Sequence, residues 1–258
     1  MQNKCERKLV LVTGAAGGIG SQLVDKLANA GWHVIGTDHP SIKPAIQTKN
    51  MCIDWIPLDL KDLQSKDGEF AIMKLSKKVD HLSKEFSLSG IVHNAAIQRL
   101  GSFEELPTND WIETMNINLI APILITRALL PIIRKHKGSI VHISSIHSQL
   151  TKPGFCAYAT SKAAISGLTK AMAVELGRDI RVNAIEPAAI STSMLEEGFK
   201  NVPTKRQELA RYHPTGCIGT AQDVANAAMY LLDPKNCFLN GCILKLGGGI
   251  HNRLHDPG

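Results

Sequence analysis

The apolar run KLVLVT at 8–13 ends on a glycine-rich loop, TGAAGGIG at 13–20, and that loop opens into a helix-like stretch closed by Gly31. No other feature constrains the fold as much. A short β-branched run ending at glycine reads as a buried strand. A strand, a glycine loop and a helix in immediate succession form the first half of a βαβ unit. A phosphate-bearing ligand fits such a turn, because side chains would block its approach and the helix N-terminus offers unpaired N–H groups. Taken alone, the loop could equally be a plain tight turn.

The alternation continues along the chain. HVIGTD (33–38) reads as a second strand, and MCIDWIPLDL (51–60) contains a third. Residues 66–86 carry a lysine-rich helical pattern, and SGIVHNAA (89–96) is a fourth strand running into a loop. Thr108 to Asn118 and Leu119 to Lys137 read as one or two helices, with Thr108, Asp110 and Glu113 forming a cap region. GSIVHISS (138–145) is a fifth strand, Ala157 to Gly177 an alanine-rich helix, and IRVNAIEP (180–187) a sixth strand stopped by Pro187. Residues 191–216 read as polar and irregular. A helix at Asp223 to Leu232 and a strand within GCILKLGGG (241–249) complete the order. The expectation is an α/β fold: one Rossmann-like, doubly wound parallel sheet with helices on both faces. A single domain over 1–258 follows, with 191–216 as a lid over the substrate.

Composition removes several classes. The chain has 258 residues, 44% of them hydrophobic and 20% charged, enough for a sizeable core without disulfide staples. Six cysteines (Cys5, Cys52, Cys156, Cys217, Cys237, Cys242) have irregular spacing and no zinc-like pairing with histidine, so free thiols and no metal are expected. The formal charge of +6 is scattered and aromatics are only 5%, which argues against nucleic acid. The first apolar run is too short for a signal-peptide core. The stretch Leu119 to Ile133 contains Arg127, Pro122 and Pro131 and is shorter than a membrane span requires. No membrane partner and a cytoplasmic location are therefore expected.

Asp38 closes the second strand, 24 residues after Gly14. A carboxylate there can accept hydrogen bonds from ribose hydroxyls and repels a 2′-phosphate, which points to NAD over NADP. His39 and Lys43 stand nearby as cations that could soften this preference, whereas Ala15 brings no basic group to the loop. The other reading of Asp38 is a turn or cap residue.

Tyr158 and Lys162 lie four apart at the start of the alanine-rich helix and share one face. An ammonium beside a phenol favours the phenolate and moves the tyrosine toward acid/base chemistry. Such a pair is ordinarily a surface coincidence. Its setting differs here, because Ser145 ends the fifth strand, where ligands of parallel sheets sit, and Asn118 faces the same end.

Together these residues resemble the short-chain dehydrogenase/reductase family in its compact form, over nearly the whole chain. TGAAGGIG (13–20), containing Thr13, Gly14, Gly18, Ile19 and Gly20, matches the family's T-G-x-x-x-G-x-G loop. Asp59-Leu60 matches its aspartate near the adenine ring. Asn94-Ala95-Ala96 resembles its N-A-G segment, and Asn118, Ser145, Tyr158 and Lys162 match its catalytic tetrad in order and spacing. Pro187 to Thr192 (PAAIST), including Ile190, resembles the segment that holds the nicotinamide carboxamide. The resemblance implies NAD-dependent interconversion of a secondary alcohol and a ketone. Tyr158 would be acid/base, Ser145 would hold the oxygen, Lys162 would bind ribose and tune Tyr158, and Asn118 would support a proton-relay water. It also implies a homo-oligomer, a tetramer, that buries the apolar helices 119–133 and 157–177. His93, Ala96 and Ala188 depart from the usual asparagine, glycine and glycine.

Weaker candidates remain. His142 reads as a buried strand histidine and Cys156 as a packing residue. His147, Gln98, Gln149 and Leu150 are pocket candidates, and Gly247-Gly248 marks a turn near an interface. The lid residues Lys200, Lys205, Arg206 and Arg211 face either an acidic substrate or water. A retired cofactor-binding sensor or scaffold is the competing functional class, and a nucleotide-sugar isomerase a more distant one.

Overall fold

The computed structural model describes residues 7–42, 52–197 and 203–254. Cys5, Lys43, Phe199 and Lys200 lie outside the described residues. The chain runs β1 (Lys8–Thr13), α1 (Gly18–Asn29), β2 (His33–Asp38), β3 (Ile53–Pro57), α2 (Lys66–Leu82), β4 (Ser87–His93) and α3 (Thr108–Met115). It continues through α4 (Ala121–Lys135), β5 (Ser139–Ile143), α5 (Cys156–Leu176), β6 (Arg181–Pro187), β7 (Ile190–Ser191), α6 (Ser193–Glu197) and α7 (Pro203–Tyr212). It ends with β8 (Gly219–Thr220), α8 (Ala221–Leu232) and β9 (Ile243–Leu246).

Seven strands form one parallel sheet in the order β3-β2-β1-β4-β5-β6-β9. Chain order reverses between β1 and β4, which opens a crevice at the carboxyl ends of those strands. Both faces of β1 are buried because helices cover both sides of the sheet. Leu9 and Leu11 point into a core with Leu75, Ile125, Leu129 and Ile133, whereas Val10 and Val12 point into another with Leu23, Leu27, Val224 and Leu231. Each fully buried aliphatic side chain contributes about 1.5–3 kcal/mol.

Three expectations need correction. First, of the one or two helices expected over 108–137 the structure has one continuous run, 108–135, in which Asn116–Ile120 makes a wider, π-type turn, and it is the cap region and the short apolar length that change. Pro107, not a side chain of the expected cap region, stands at its N-terminus. By length and composition this run could cross a membrane, yet half of its most apolar stretch is buried inside the fold. Ile125, Leu129 and Ile133 on α4 are fully buried in the core, the reason the helix is apolar. Second, residues 191–216 are not irregular. They hold β7, α6 and α7, and β7 pairs in parallel with β8. Helix α7 is polar on nearly every face, so it lacks the 3.6-residue apolar periodicity by which helices are recognised. Third, Arg206, expected to face an acidic substrate or water, instead ties α6 to α7, its Nε donating to both carboxylate oxygens of Glu196 at 2.9 Å.

Candidate active site

The glycine loop is a backbone cradle. Gly14 adopts φ +62°, and a Cβ there would stand 2.7 Å from the Ala95 Cα. At Gly20 a Cβ would meet the Gly14 carbonyl oxygen at 1.9 Å, so only glycine lets the loop fold against the start of α1. The loop is fixed to the end of β4. Thr13 Oγ1 accepts from the backbone N–H groups of Asn94 and Ala95, both at 3.1 Å. Asn94 Nδ2 donates back to the carbonyls of Thr13 (3.1 Å) and Gly14 (3.0 Å).

Asp38 is braced at the end of β2. Its Oδ2 accepts from Ala16 N at 3.0 Å and its Oδ1 from His39 N at 2.8 Å. Each oxygen keeps lone-pair capacity for a further donor. Asp59 accepts from Lys61 N at 2.9 Å and stands 3.5 Å from His39 Nε2. This cradle of glycines and aimed carboxylates, where a Cβ would collide, fits the phosphates and ribose of a dinucleotide.

The tetrad gathers at the carboxyl ends of β4 and β5. Ser145 has extended backbone and caps a short turn at 146–148, its Oγ accepting from His147 N at 3.2 Å. The Tyr158 phenol lies beside the Ser145 side chain in the cleft. Burial raises the phenol above its ordinary value, and the neighbouring Ser145 hydroxyl offsets part of that rise. Lys162, one turn along α5, is almost wholly buried, and burial lowers it to about 8. Its Nζ donates to the Ile143 carbonyl at 2.8 Å and lies 5.5 Å from the Tyr158 ring centroid. Proximity to the ammonium was expected to lower Tyr158. Desolvation is the larger effect, and the net direction is upward.

Asn118 sits in the wide helical turn and its amide is heavily engaged. Oδ1 accepts from Ile97 N at 2.9 Å, and Nδ2 donates to Ile97 O and to Ser161 Oγ, both at 3.0 Å. Both amide protons are used, so the side chain holds the β4 loop against α5. Wide turns of this kind recur at functional sites.

One cleft of about 1420 Å³ joins these elements. Gly14, Gly18, Ile19, Asp38, Asp59, Leu60, Asn94, Ala95, Ala96, Ser145, Tyr158, Lys162, Pro187, Ile190 and Thr192 line it. Thr13, Gly20 and Asn118 stand behind the wall and shape it. Gln98, His147, Gln149 and Leu150 also line the cleft, whereas Cys156 and Gly247-Gly248 do not. The His147 ring stacks on Phe155 (4.4 Å, 3°) and meets Tyr158 edge-on; burial and nearby Lys152 lower it to about 4. His142 is buried as expected, and it stacks on His93 at 5.3 Å.

Sequence reasoning missed Glu186. This fully buried carboxylate on β6 accepts from Ser148 Oγ, from Ser166 Oγ at 2.9 Å and from Gln149 Nε2 at 3.0 Å. It thereby ties the turn after Ser145 to α5 beside Lys162. The available signal was an acidic residue inside an otherwise apolar strand, IRVNAIEP. Lys152, Tyr212, His213 and Arg253 also line the cleft without prior notice. Their sequence neighbours carry no motif.

Residues 14–251 match a family model described as enoyl-(acyl carrier protein) reductase. The chain is 30% identical over 256 residues to the 3-oxoacyl-[acyl-carrier-protein] reductase of Thermotoga maritima, covering 96% of this chain and 99% of that protein. Its fold matches the ligand-free aldohexose dehydrogenase of Thermoplasma acidophilum with a TM-score of 0.86 and 28% identity, over 98% and 97% of the two chains. It also matches ElxO, solved with NADP bound, with a TM-score of 0.84 and 27% identity, over 96% and 100%.

Proposed function

The chain belongs to the short-chain dehydrogenase/reductase family, and on that premise we propose that it is an NAD(H)-dependent oxidoreductase interconverting a secondary alcohol and a ketone. The observation that carries the reading is that Ser145, Tyr158 and Lys162 line one cleft, with the buried Lys162 Nζ 5.5 Å from the Tyr158 ring centroid. The bound nicotinamide supplies the hydride acceptor or donor. Tyr158 removes the alcohol proton in oxidation and returns one to the ketone oxygen in reduction. Ser145 donates to the same oxygen and stabilises the negative charge that develops there. Lys162 places a positive charge beside the ring of Tyr158 and favours the phenolate form once the site is closed to water. Asn118 acts as a positioning residue, holding Ile97 and Ser161 so that loop and helix keep their spacing.

The glycine loop, Asp38, Asp59-Leu60, Asn94 to Ala96 and Pro187 to Thr192 would hold the dinucleotide. ElxO binds NADP; here the braced carboxylate of Asp38 favours NAD. A soluble cytoplasmic homotetramer, one domain per chain, accompanies the reading. Val174 on α5, 86% exposed, is one apolar residue that a neighbouring subunit would cover. Light scattering at micromolar concentration should give the tetramer mass. Absorbance of NADH with a panel of alcohols and ketones tests the reaction. No turnover with any of them, together with tight NADH binding, would favour a retired sensor.

A further inference from the structure

Three carboxylates line the cleft: Asp38 is held by the glycine loop, Asp59 stands 3.5 Å from His39 Nε2, and Glu113 accepts from Arg99 and lies 3.7 Å from Lys61. Lys152 and Arg253 also line the cleft, Lys152 over the Phe155 ring that meets Tyr158 edge-on. Among the described residues neither has a carboxylate partner within ion-pair distance.

Both cations are held in place. Lys152 Nζ sits 4.7 Å above the Phe155 ring, the ring that stacks on His147 beside Tyr158. Arg253 Nη1 donates to the carbonyls of Arg211 (3.2 Å) and Tyr212 (2.8 Å), the last residues of α7. Its Nε and Nη2 remain available as donors, and the guanidinium lies 6.0 Å from the Tyr212 ring centroid. A guanidinium held through one nitrogen presents the others in a fixed fork, the geometry that suits a carboxylate or phosphate. Among the described lid cations none serves: Arg206 is spent on Glu196, and neither Lys205 nor Arg211 lines the cleft.

Building on the dehydrogenase reading, we propose that the substrate is an organic anion whose carboxylate or phosphate docks between Lys152 and Arg253 while its alcohol or ketone carbon lies at Tyr158. Two cations without a carboxylate partner among the described residues, in the same cleft as Tyr158, draw an anion in and orient it. A neutral alcohol gains nothing there.

The test uses three six-carbon polyols: neutral D-glucitol, the carboxylate D-gluconate and the phosphate D-glucitol 6-phosphate. Each is titrated calorimetrically into the NADH-saturated protein, and each is assayed for turnover with NAD. The expected result is at least tenfold tighter binding of one or both anions than of glucitol, and the stronger anion identifies the source. That ratio should fall at least tenfold in Arg253→Ala and several-fold in Lys152→Ala, shrink with rising salt, and recover partly in Arg253→Lys. Arg211→Ala, whose side chain lies outside the cleft, should keep the ratio. Equal binding of glucitol and the anions, no anion binding, or a ratio unmoved in Arg253→Ala overturns the proposal. Turnover of neutral alcohols with a ratio of one would sink the anion site and leave the dehydrogenase reading standing. Selective anion binding without any hydride transfer would do the reverse.

Discussion

Asp38 Oδ2 accepts a hydrogen bond from the backbone N–H of Ala16 at 3.0 Å, so the end of β2 and the glycine loop hold one carboxylate between them. The negative charge is fixed where the ribose of a dinucleotide would lie. At 4 Å and an effective dielectric near 20, a 2′-phosphate would meet about 4 kcal/mol of repulsion before screening. We expect kcat/KM with NAD to exceed that with NADP on the order of 10²-fold, at about 1.4 kcal/mol per tenfold. Asp38→Ala should move the ratio toward NADP; equal efficiencies in the unmodified protein refute the assignment.

Tyr158→Phe should retain the fold and NADH affinity, because the ring still packs against His147. Turnover should fall by roughly 10²–10⁴, the usual contribution of a positioned acid or base. A variant keeping a tenth of the rate removes Tyr158 from the role. NADH fluorescence titration separates binding from chemistry.

Burial raises Tyr158, so the phenol stays protonated near neutrality and its base form grows as pH rises. Alcohol oxidation should therefore climb with pH above 7, and ketone reduction should be favoured at lower pH. Rate profiles in both directions check this. An oxidation rate that is flat from pH 7 to 9 contradicts it.

His93 and His142 stack in the core, and burial drives both below their ordinary value, His142 to about 3. The unfolded chain takes up protons near pH 6.5 that the folded chain refuses. The stability contribution is thus full above that pH and is lost as pH falls toward the folded values. Between pH 6.5 and 5 the His142 site alone should cost roughly 2 kcal/mol, and His93 should add to the fall. Denaturant unfolding should show the fall, and the double variant His93→Asn, His142→Gln should flatten it.

Glu186→Ala leaves Ser148, Ser166 and Gln149 without their shared acceptor, and should cost about 3 kcal/mol of stability. Gln149 lines the cleft, so substrate KM should rise more than kcat falls. Glu186→Gln, which keeps the volume and one acceptor oxygen, should recover much of the stability. Identical KM in all three proteins would limit Glu186 to a purely structural part.

The β1–loop–α1 unit, the parallel sheet with helices on both faces and the placing of Ser145, Tyr158 and Lys162 in one cleft were legible because each rests on local chemistry. Leu9 to Val12 can only be a strand buried on both faces, and Gly14 and Gly20 stand where a Cβ has no room. Tyr158 and Lys162 share a helix face whatever surrounds them. Helix α7 was not legible, since a helix polar all round has no periodicity; its place is fixed by Arg206 on Glu196 and by Arg253 at its end. The fate of Tyr158 also lay outside the sequence, because the balance between a neighbouring ammonium and desolvation depends on how deeply the fold buries both.

The sequence by itself determined the sheet, the cradle and the meeting of Ser145, Tyr158 and Lys162 at one cleft, all set by spacing within a few residues or by the repeat of strand and helix. Tertiary structure alone decided what Glu186 holds and which cations reach the cleft. Lys152 and Arg253 are 101 positions apart, and no local pattern relates them. They line one cleft because the turn after β5 and the segment after β9 both emerge at the carboxyl end of the same parallel sheet.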